Sequence, residues 1–452
     1  MTNEEIRKKI EKEVLSKIKP SEDEQKRVVE AVKKLIDLVK FHAEIKGVCI
    51  KPILVGSVAK GTYMKNPDVD IFMAFPVSMS REELERYGLE IGRAVLGGGE
   101  ERYAEHPYVH GKFEGFEVDL VPCYALETTT ELMSAVDRTP FHTEYVKKHL
   151  PNEKIDDVLL LKRFLKGLGI YGAEAEVQGF SGYLCELFII KFGSFSNVIE
   201  NCRRFRKGTK LSIDKIDERY YSRFTDPLIF IDPVDIKRNV ASPVSLDNFL
   251  IFTYACERYY ETPKLEFFYP KEKKMSREEL DRKIKQRGTR IVAITTGKPN
   301  IVADNLFSQL RRAEKCIRNV LEENGFKPIR SKYFAENDIM LIFELECWEY
   351  SNAKKHHGPE YGKGNSESFI KKWKMSEKAL SKPYIENGIW TVEISREYRT
   401  AEELLKRKLP ELSLGKNIVE EVKKKYNIVG IENIPYEILA KFYEGQFRWE
   451  DC

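Results

Sequence analysis

Two rhythms of apolar and polar residues run along this chain, and each predicts its own kind of element. After Pro20, Ser21-Glu22-Asp23-Glu24 reads as a capping box, and Val28, Val32, Leu35, Ile36 and Val39 then recur at helical spacing. This amphipathic helix is expected to pack on a sheet. A small-residue turn, Val55-Gly56-Ser57, is followed after ten residues by Asp68-Val69-Asp70-Ile71-Phe72-Met73-Ala74-Phe75, two acids opening an apolar, strand-like run. Residues 113–124 read as a second strand, in which Asp119 heads Leu120-Val121. A helix is predicted over 156–166, stopped near Gly167-Leu168-Gly169, with Lys162 and Lys166 on one face. Residues 181–199 continue helical and apolar. Past Pro263, charged helical stretches at 271–274 and 282–287 precede a β-like segment at 290–294 and an amphipathic helix at 306–323. Strands follow at 338–348 and 389–394, separated by a polar, basic loop at 354–365, and the chain ends in a helical region.

The acids carry the first chemical signal. Strand side chains alternate faces, so Asp68 and Asp70 point the same way, roughly 7 Å apart. Two such carboxylates repel unless a cation lies between them, and oxygen-only ligation suits Mg²⁺. A Gly-Ser turn upstream can offer N–H groups and a hydroxyl to a phosphate. Asp119 is the third acid expected to face the pair, with Glu117 on the same face as its rival. Taken alone, an Asp-x-Asp near a turn is also a common solvated pair.

Bulk properties narrow the class. At 452 residues, two to four domains are expected. The sequence shows neither a membrane-length apolar run nor a signal-peptide pattern, and its eight cysteines include no Cys-x-x-Cys pair, so a cytoplasmic protein with reduced thiols is expected. Net charge is only +4, but it is unevenly spread. Residues 201–300 hold 22 Lys and Arg against 14 Asp and Glu, whereas the preceding hundred balance at −6. A basic stretch after an acidic one suits an enzyme holding phosphate backbones beside a metal centre.

The pattern hydrophobic-Gly-Ser, ten residues, Asp-x-Asp, then a distant Asp resembles the nucleotidyltransferase superfamily of DNA polymerase β. Arg102-Tyr103-Ala104-Glu105-His106-Pro107-Tyr108-Val109-His110-Gly111, Ala135-Val136-Asp137-Arg138-Thr139-Pro140-Phe141-His142 and Gly169-Ile170-Tyr171-Gly172-Ala173-Glu174 carry a narrower resemblance, to the archaeal, class I CCA-adding enzymes. So do residues 179–187, 232–241, 298–306, 383–388 and 414–417. The resemblance implies an α+β fold: a nucleotidyltransferase palm, a mixed β-sheet with helices, then a helical neck and α+β body and tail. The corresponding ranges are 1–150 for the head, 151–265 for the neck, 266–300 with 396–452 for the body, and 301–395 for the tail.

It also implies template-independent addition of CCA to the tRNA 3′ end from CTP and ATP, with two Mg²⁺ ions held by Asp68, Asp70 and Asp119. By the same resemblance, Gly56, Ser57, Lys60, Thr139, His142, Lys162 and Tyr171 would hold the triphosphate, and Arg238 would read the base. Lys60 departs from the arginine expected there and lacks its bidentate fork. Read without the resemblance, His142 is a hydrogen-bonded structural histidine, Lys162 a surface lysine, Tyr171 a packing aromatic, and Arg238 an ion-pair partner of Asp232 or Asp235. Candidates for tRNA contact are Arg203, Arg204, Arg206 and Lys207, and separately Lys354, Lys355, His356 and His357 with Trp373 nearby. A poly(A) polymerase-like enzyme and a non-catalytic tRNA-binding protein on the same palm are the alternatives. A homodimer is left open, and no membrane partner is expected.

Overall fold

The computed structural model describes residues 2–103, 105–128, 133, 134, 136–271, 275–445, 447, 449 and 450; Ala104 and Ala135 of the motifs above and residues 272–274 of the charged stretch lie outside these. The chain forms two compact units, Met1–Glu272 with Gln446–Cys452, and Lys273–Gly445.

The first unit opens with helices α1 (Asn3–Ile18) and α2 (Glu22–Ile45). Ser21 caps α2 by accepting from the Glu24 N–H, but the reciprocal half of the expected capping box is missing. The Glu24 carboxylate accepts instead from the backbone N–H of Asn66. There follow β1 (Lys51–Val55), the short helix α3 (Gly56–Lys60), β2 (Val69–Phe75), α4 (Arg81–Leu96), β3 (Glu100–Tyr103), β4 (Pro107–Phe113) and β5 (Phe116–Tyr124). The strands make one mixed sheet in the order β1-β2-β5-β4-β3, parallel only between β2 and β5. What reads as one strand over 113–124 is two. Glu114 and Gly115 turn the chain with φ of 48° and 88°, so Phe113 ends β4 and pairs with Phe116.

One face of the sheet is apolar throughout. Val69, Ile71, Met73, Phe75, Val118, Leu120 and Tyr124 form a core with Val28, Val32, Leu35 and Val39 of α2 and Leu84 and Ile91 of α4. Helix α4 lies very close to the sheet because it carries glycine where it crosses. A Cβ on Gly92 would stand 2.7 Å from Val109 Cγ2.

A helical layer completes this unit: α5 (Arg138–His149), α6 (Ile155–Leu168), α7 (Gly182–Phe192), α8 (Phe195–Cys202), the single turn α9 (Glu218–Tyr221) and α10 (Leu246–Glu261), with two short strands, β6 (Thr209–Leu211) and β7 (Leu228–Phe230). The apolar run 181–199 is not one helix: Gly193, at φ 84°, ends α7, and α8 departs at 91°. Both are largely buried in the aromatic core around Phe164, Phe188, Phe252 and Tyr259. Among the described residues no single helix is long and apolar enough to cross a membrane.

The second unit contains α11 (Arg277–Arg287), β8 (Arg290–Gly297), α12 (Ala303–Glu323), β9 (Pro328–Ala335), β10 (Asp338–Leu345), β11 (Ala353–Glu360), α13 (Ser366–Lys374), β12 (Tyr384–Glu386), β13 (Ile389–Ser395), α14 (Ala401–Lys408), α15 (Lys416–Lys424), β14 (Tyr426–Gly430) and α16 (Tyr436–Tyr443). Its sheets run β14-β8-β10-β9 and β11-β13-β12. The basic segment expected as a loop is largely strand β11, because Lys354 to His357 pair with Thr391 to Ile394 of β13. Trp373 is buried and packs 4.9 Å from His356, so its ring belongs to the small core with Val392 and Ile394.

Substituting Gly92→Val should destabilise the first unit by about 1–3 kcal/mol, since the added carbons meet Val109 and Leu120. A lower urea midpoint for that unit, followed by far-ultraviolet circular dichroism, is the expected result.

Candidate functional site

Strand register assembles the acids. The parallel pairing of β2 with β5 sets Asp70 level with Asp119, while β1 places Val55 beside Asp70. On the far side β4 sets His110 opposite Asp119. Asp68 and Glu117 lie two residues back from Asp70 and Asp119 on the same face. Further along, that face turns apolar, with Phe72, Ala74, Val121 and Cys123 clustered against Val55. The acids thus form the polar end of a half-buried surface.

Their electrostatics record the crowding. Asp70 is pushed up to about 7 by burial, then by Asp119 and Asp68, against the pull of Lys60. Asp68 is raised by burial, then by Asp119 and Glu117, with Lys166 and His110 opposing. Glu117 differs: Lys112, at 3.1 Å, and His110 hold it below the usual carboxylate range. Register and contacts distinguish the two rivals for third acid: Asp119 is level with Asp70, whereas Glu117 lies two residues back and is ion-paired with Lys112.

Backbone geometry brings the Gly-Ser turn onto the acids. Gly56 has φ 71°, and a Cβ there would collide with Asp70 Oδ2, so only glycine lets α3 start directly over this carboxylate. Ser57 follows in that turn, and Lys60 ends α3 with its side chain only 8% exposed.

Lys60 and Lys162 meet on a buried acid that the sequence reading missed. Glu186 of α7 is fully buried and accepts from Lys60 Nζ at 2.6 Å and Thr62 Oγ1 at 2.6 Å. Lys162 is buried too, not a surface lysine. Its Nζ donates to Thr62 O at 2.9 Å, to Thr62 Oγ1 at 3.2 Å and to Glu186 at 3.4 Å. Burial would raise Glu186, but Lys60 and Lys162 outweigh it and keep the carboxylate ionised. Tyr171 stands by this cluster, with its hydroxyl and Lys162 both lining the space next to Gly182. Lys166, one turn on from Lys162, lies over the Tyr171 ring, and its charge favours the ionised form of Asp68.

His142 and Arg238 meet on a second buried acid, Asp232. Its carboxylate accepts from His142 Nε2 at 2.9 Å, Arg238 Nη1 at 2.8 Å, Tyr183 Oη at 3.0 Å and the Val234 N–H at 3.0 Å. Burial alone would raise Asp232; these donors, His142 first, bring it to about 2. Burial pushes His142 down, so its neutral ring donates the Nε2–H, and it stacks on Tyr183 at 4.0 Å. Arg238 is therefore paired with Asp232, while a third of its side chain stays exposed. Thr139 sits one turn before His142 on α5. The Lys60 charge also acts to lower the pKa of both His142 and Asp70, though its direct contact is Glu186.

Comparison with known proteins matches three families in succession. The nucleotidyltransferase domain covers residues 32–142, the tRNA nucleotidyltransferase second domain 156–269, and the CCA-adding enzyme C-terminal domain 287–430. The CCA-adding enzyme of Archaeoglobus fulgidus is 41% identical over 390 residues, spanning 85% of this chain and 87% of that protein. Those of Methanosarcina acetivorans and Methanothermobacter thermautotrophicus are 40% identical over 426 residues and 35% over 442, covering 92% and 95% of both partners. The chain belongs to the CCA-adding enzyme family.

In this member of the CCA-adding enzymes, Glu186, Thr62, Tyr183 and His110 are the neighbours of the candidate site to which the sequence assigned no role, and Lys166 entered only as sharing a face with Lys162. Glu186 had a signal, as a lone acid inside the apolar run of α7; Lys166 had one in its spacing from Lys162. Tyr183 and His110 stood inside family-like motifs with nothing local to mark their partners. The acid row offers the all-oxygen donors that a hard divalent cation takes, and a cation would relieve the repulsion that, after burial, raises Asp70. Among the described residues no group of three or more His, Cys, Asp or Glu is already drawn together as a metal cage.

The raised Asp70 carboxyl has a measurable cost. The folded state keeps Asp70 protonated up to about pH 7, whereas the unfolded carboxyl ionises near 3.8, so this group's contribution to stability is lost as pH rises between them. In metal-free buffer, about 2–3 kcal/mol of the stability lost between pH 5 and pH 8 should vanish in Asp70→Asn, as read by urea denaturation.

Proposed function

We propose that this protein adds CCA to the 3′ end of tRNA without a nucleic-acid template, using CTP and ATP and releasing pyrophosphate. What carries the reading is Asp70 level with Asp119 under Gly56, in a chain belonging to the CCA-adding enzymes. The residues that would hold Mg²⁺ are Asp68, Asp70 and Asp119. Two such ions, when bound, would lower the pKa of the attacking 3′-hydroxyl and balance charge on the leaving pyrophosphate.

The chain's own groups do the positioning. Gly56 lets the backbone of the first α3 turn and Ser57 come close to the phosphates. Lys60, at the end of α3, would meet a triphosphate if the anion competes with Glu186 for its ammonium. Lys162 has its three protons engaged by Thr62 and Glu186; its part in the pocket is to hold that wall together with Tyr171. His142 and Thr139 line the pocket from α5.

Base choice falls to Arg238. Its guanidinium, braced by Asp232, presents donors to the ring nitrogen acceptors beside the exocyclic amines of cytosine and adenine, which uracil and guanine do not match. Residues 1–150 then form the catalytic head, 151–265 the neck, and the remainder the body and tail that meet tRNA. The protein would act in the cytoplasm.

A tRNA transcript lacking CCA, incubated with Mg²⁺ and resolved on a sequencing gel, tests this. CTP alone should add two nucleotides, and ATP should be needed for the third; long A-tails from ATP alone would point instead to a poly(A) polymerase-like enzyme. Asp119→Asn should lower the rate by about 10³-fold or more, since the ion facing the 3′-hydroxyl loses a carboxylate. Arg238→Ala should keep binding tRNA but lose discrimination, seen as CTP and UTP incorporation drawing together.

A further inference from the structure

His110 stands at the acid face, and the proposed chemistry gives it no part. It lies opposite Asp119 in the antiparallel β4–β5 pair, with its side chain 17% exposed. Its Nδ1 stands 2.6 Å from Asp119 Oδ1, and its Nε2 stands 3.1 Å from Glu117 Oε2. At that distance the ring nitrogen and the carboxylate oxygen share one hydrogen bond, the Nδ1–H donating and Asp119 Oδ1 accepting. Glu117 is in turn fixed by Lys112 at 3.1 Å. The imidazole thus lies between two carboxylates, Asp119 on one nitrogen and the Lys112-paired Glu117 on the other.

A carboxylate rotates freely about its last bond unless one oxygen is held, and a freely turning ligand pays that freedom when an ion arrives. We infer that His110 is a positioning residue that orients Asp119 for metal binding, with Glu117 holding the ring in place. The inference rests on the reading of Asp68, Asp70 and Asp119 as the metal-holding set. It also gives Glu117, the rival for third acid, a different role, since it aims the histidine rather than meeting the ion.

Mn²⁺ binding to the full chain, followed by the electron paramagnetic resonance of the free ion with CTP present and RNA absent, tests this apart from turnover. His110→Ala should weaken Mn²⁺ binding about 10-fold or more, in the range that losing an orienting partner costs. His110→Asn should restore it to within about threefold, because the asparagine amide places an N–H where Nδ1 stood. His110→Gln, which reaches toward Glu117 instead, should not. The Mg²⁺ concentration for half-maximal CCA addition should rise in parallel, with KM for CTP at saturating Mg²⁺ unchanged.

Wild-type Mn²⁺ affinity in all three variants, or equal loss in all three, would overturn the inference; should His110→Ala fail to fold, the Asn–Gln contrast decides alone. Asp119→Asn separates the two levels. If it binds Mn²⁺ like wild type, the metal reading itself fails. If it loses the ion while His110→Ala does not, only the role of His110 fails.

Discussion

Like charges gain nothing by lying side by side, yet the parallel pairing of β2 with β5 leaves Asp70 and Asp119 no other position. That register is held by the opposite face of the same strands. Val69, Ile71, Met73 and Phe75 from one, and Val118, Leu120 and Tyr124 from the other, are buried against α2 and α4. Each such side chain stabilises the fold by roughly 1.5–3 kcal/mol. A slip of one residue would turn the whole apolar set outward. The core therefore holds the acids together against their repulsion, and the raised Asp70 carboxyl records its burial first and that repulsion second.

The cations around this face are arranged by two buried carboxylates. Glu186 gathers Lys60 from α3, Thr62 from the turn after it and Lys162 from α6. Asp232 gathers His142, Tyr183 and Arg238. The Glu186 cluster ties α3 and the turn after it to α6 and α7, and the Asp232 cluster ties α5 and α7 to the segment that carries Arg238. Buried charges of this kind contribute little net stability, but removing one partner strands the other. Their value is positional: basic groups are held close to the acid row without collapsing onto it.

Much of this was legible in the chain. The helix over 22–45, the strand after Asp68, the stop at Gly169 and the helix near 306–323 all follow from periodicity and capping, which are local. So does the shared face of Asp68 and Asp70. Where expectation failed, a local pattern had more than one outcome. Glu114-Gly115 broke an apparent single strand because a left-handed turn can hide inside an alternating run. Gly193 broke a long apolar helix, and the polar run Lys354–His357 paired as a strand because β13 was there to receive it.

The pairing of Asp68 with Asp70 on one face, the Gly-Ser turn that precedes them and the resemblance to a family were legible in the sequence alone, since residue type and spacing carry them. Tertiary structure decided which of Glu117 and Asp119 stands beside Asp70, that Lys162 is sealed rather than exposed, and that Glu186, Asp232 and His110 are the partners that aim the rest. Those partners come from strands and helices up to 126 residues apart. Sequence spacing has no information about such contacts, because they exist only once the core has fixed the register of the sheet and the helices have packed on it.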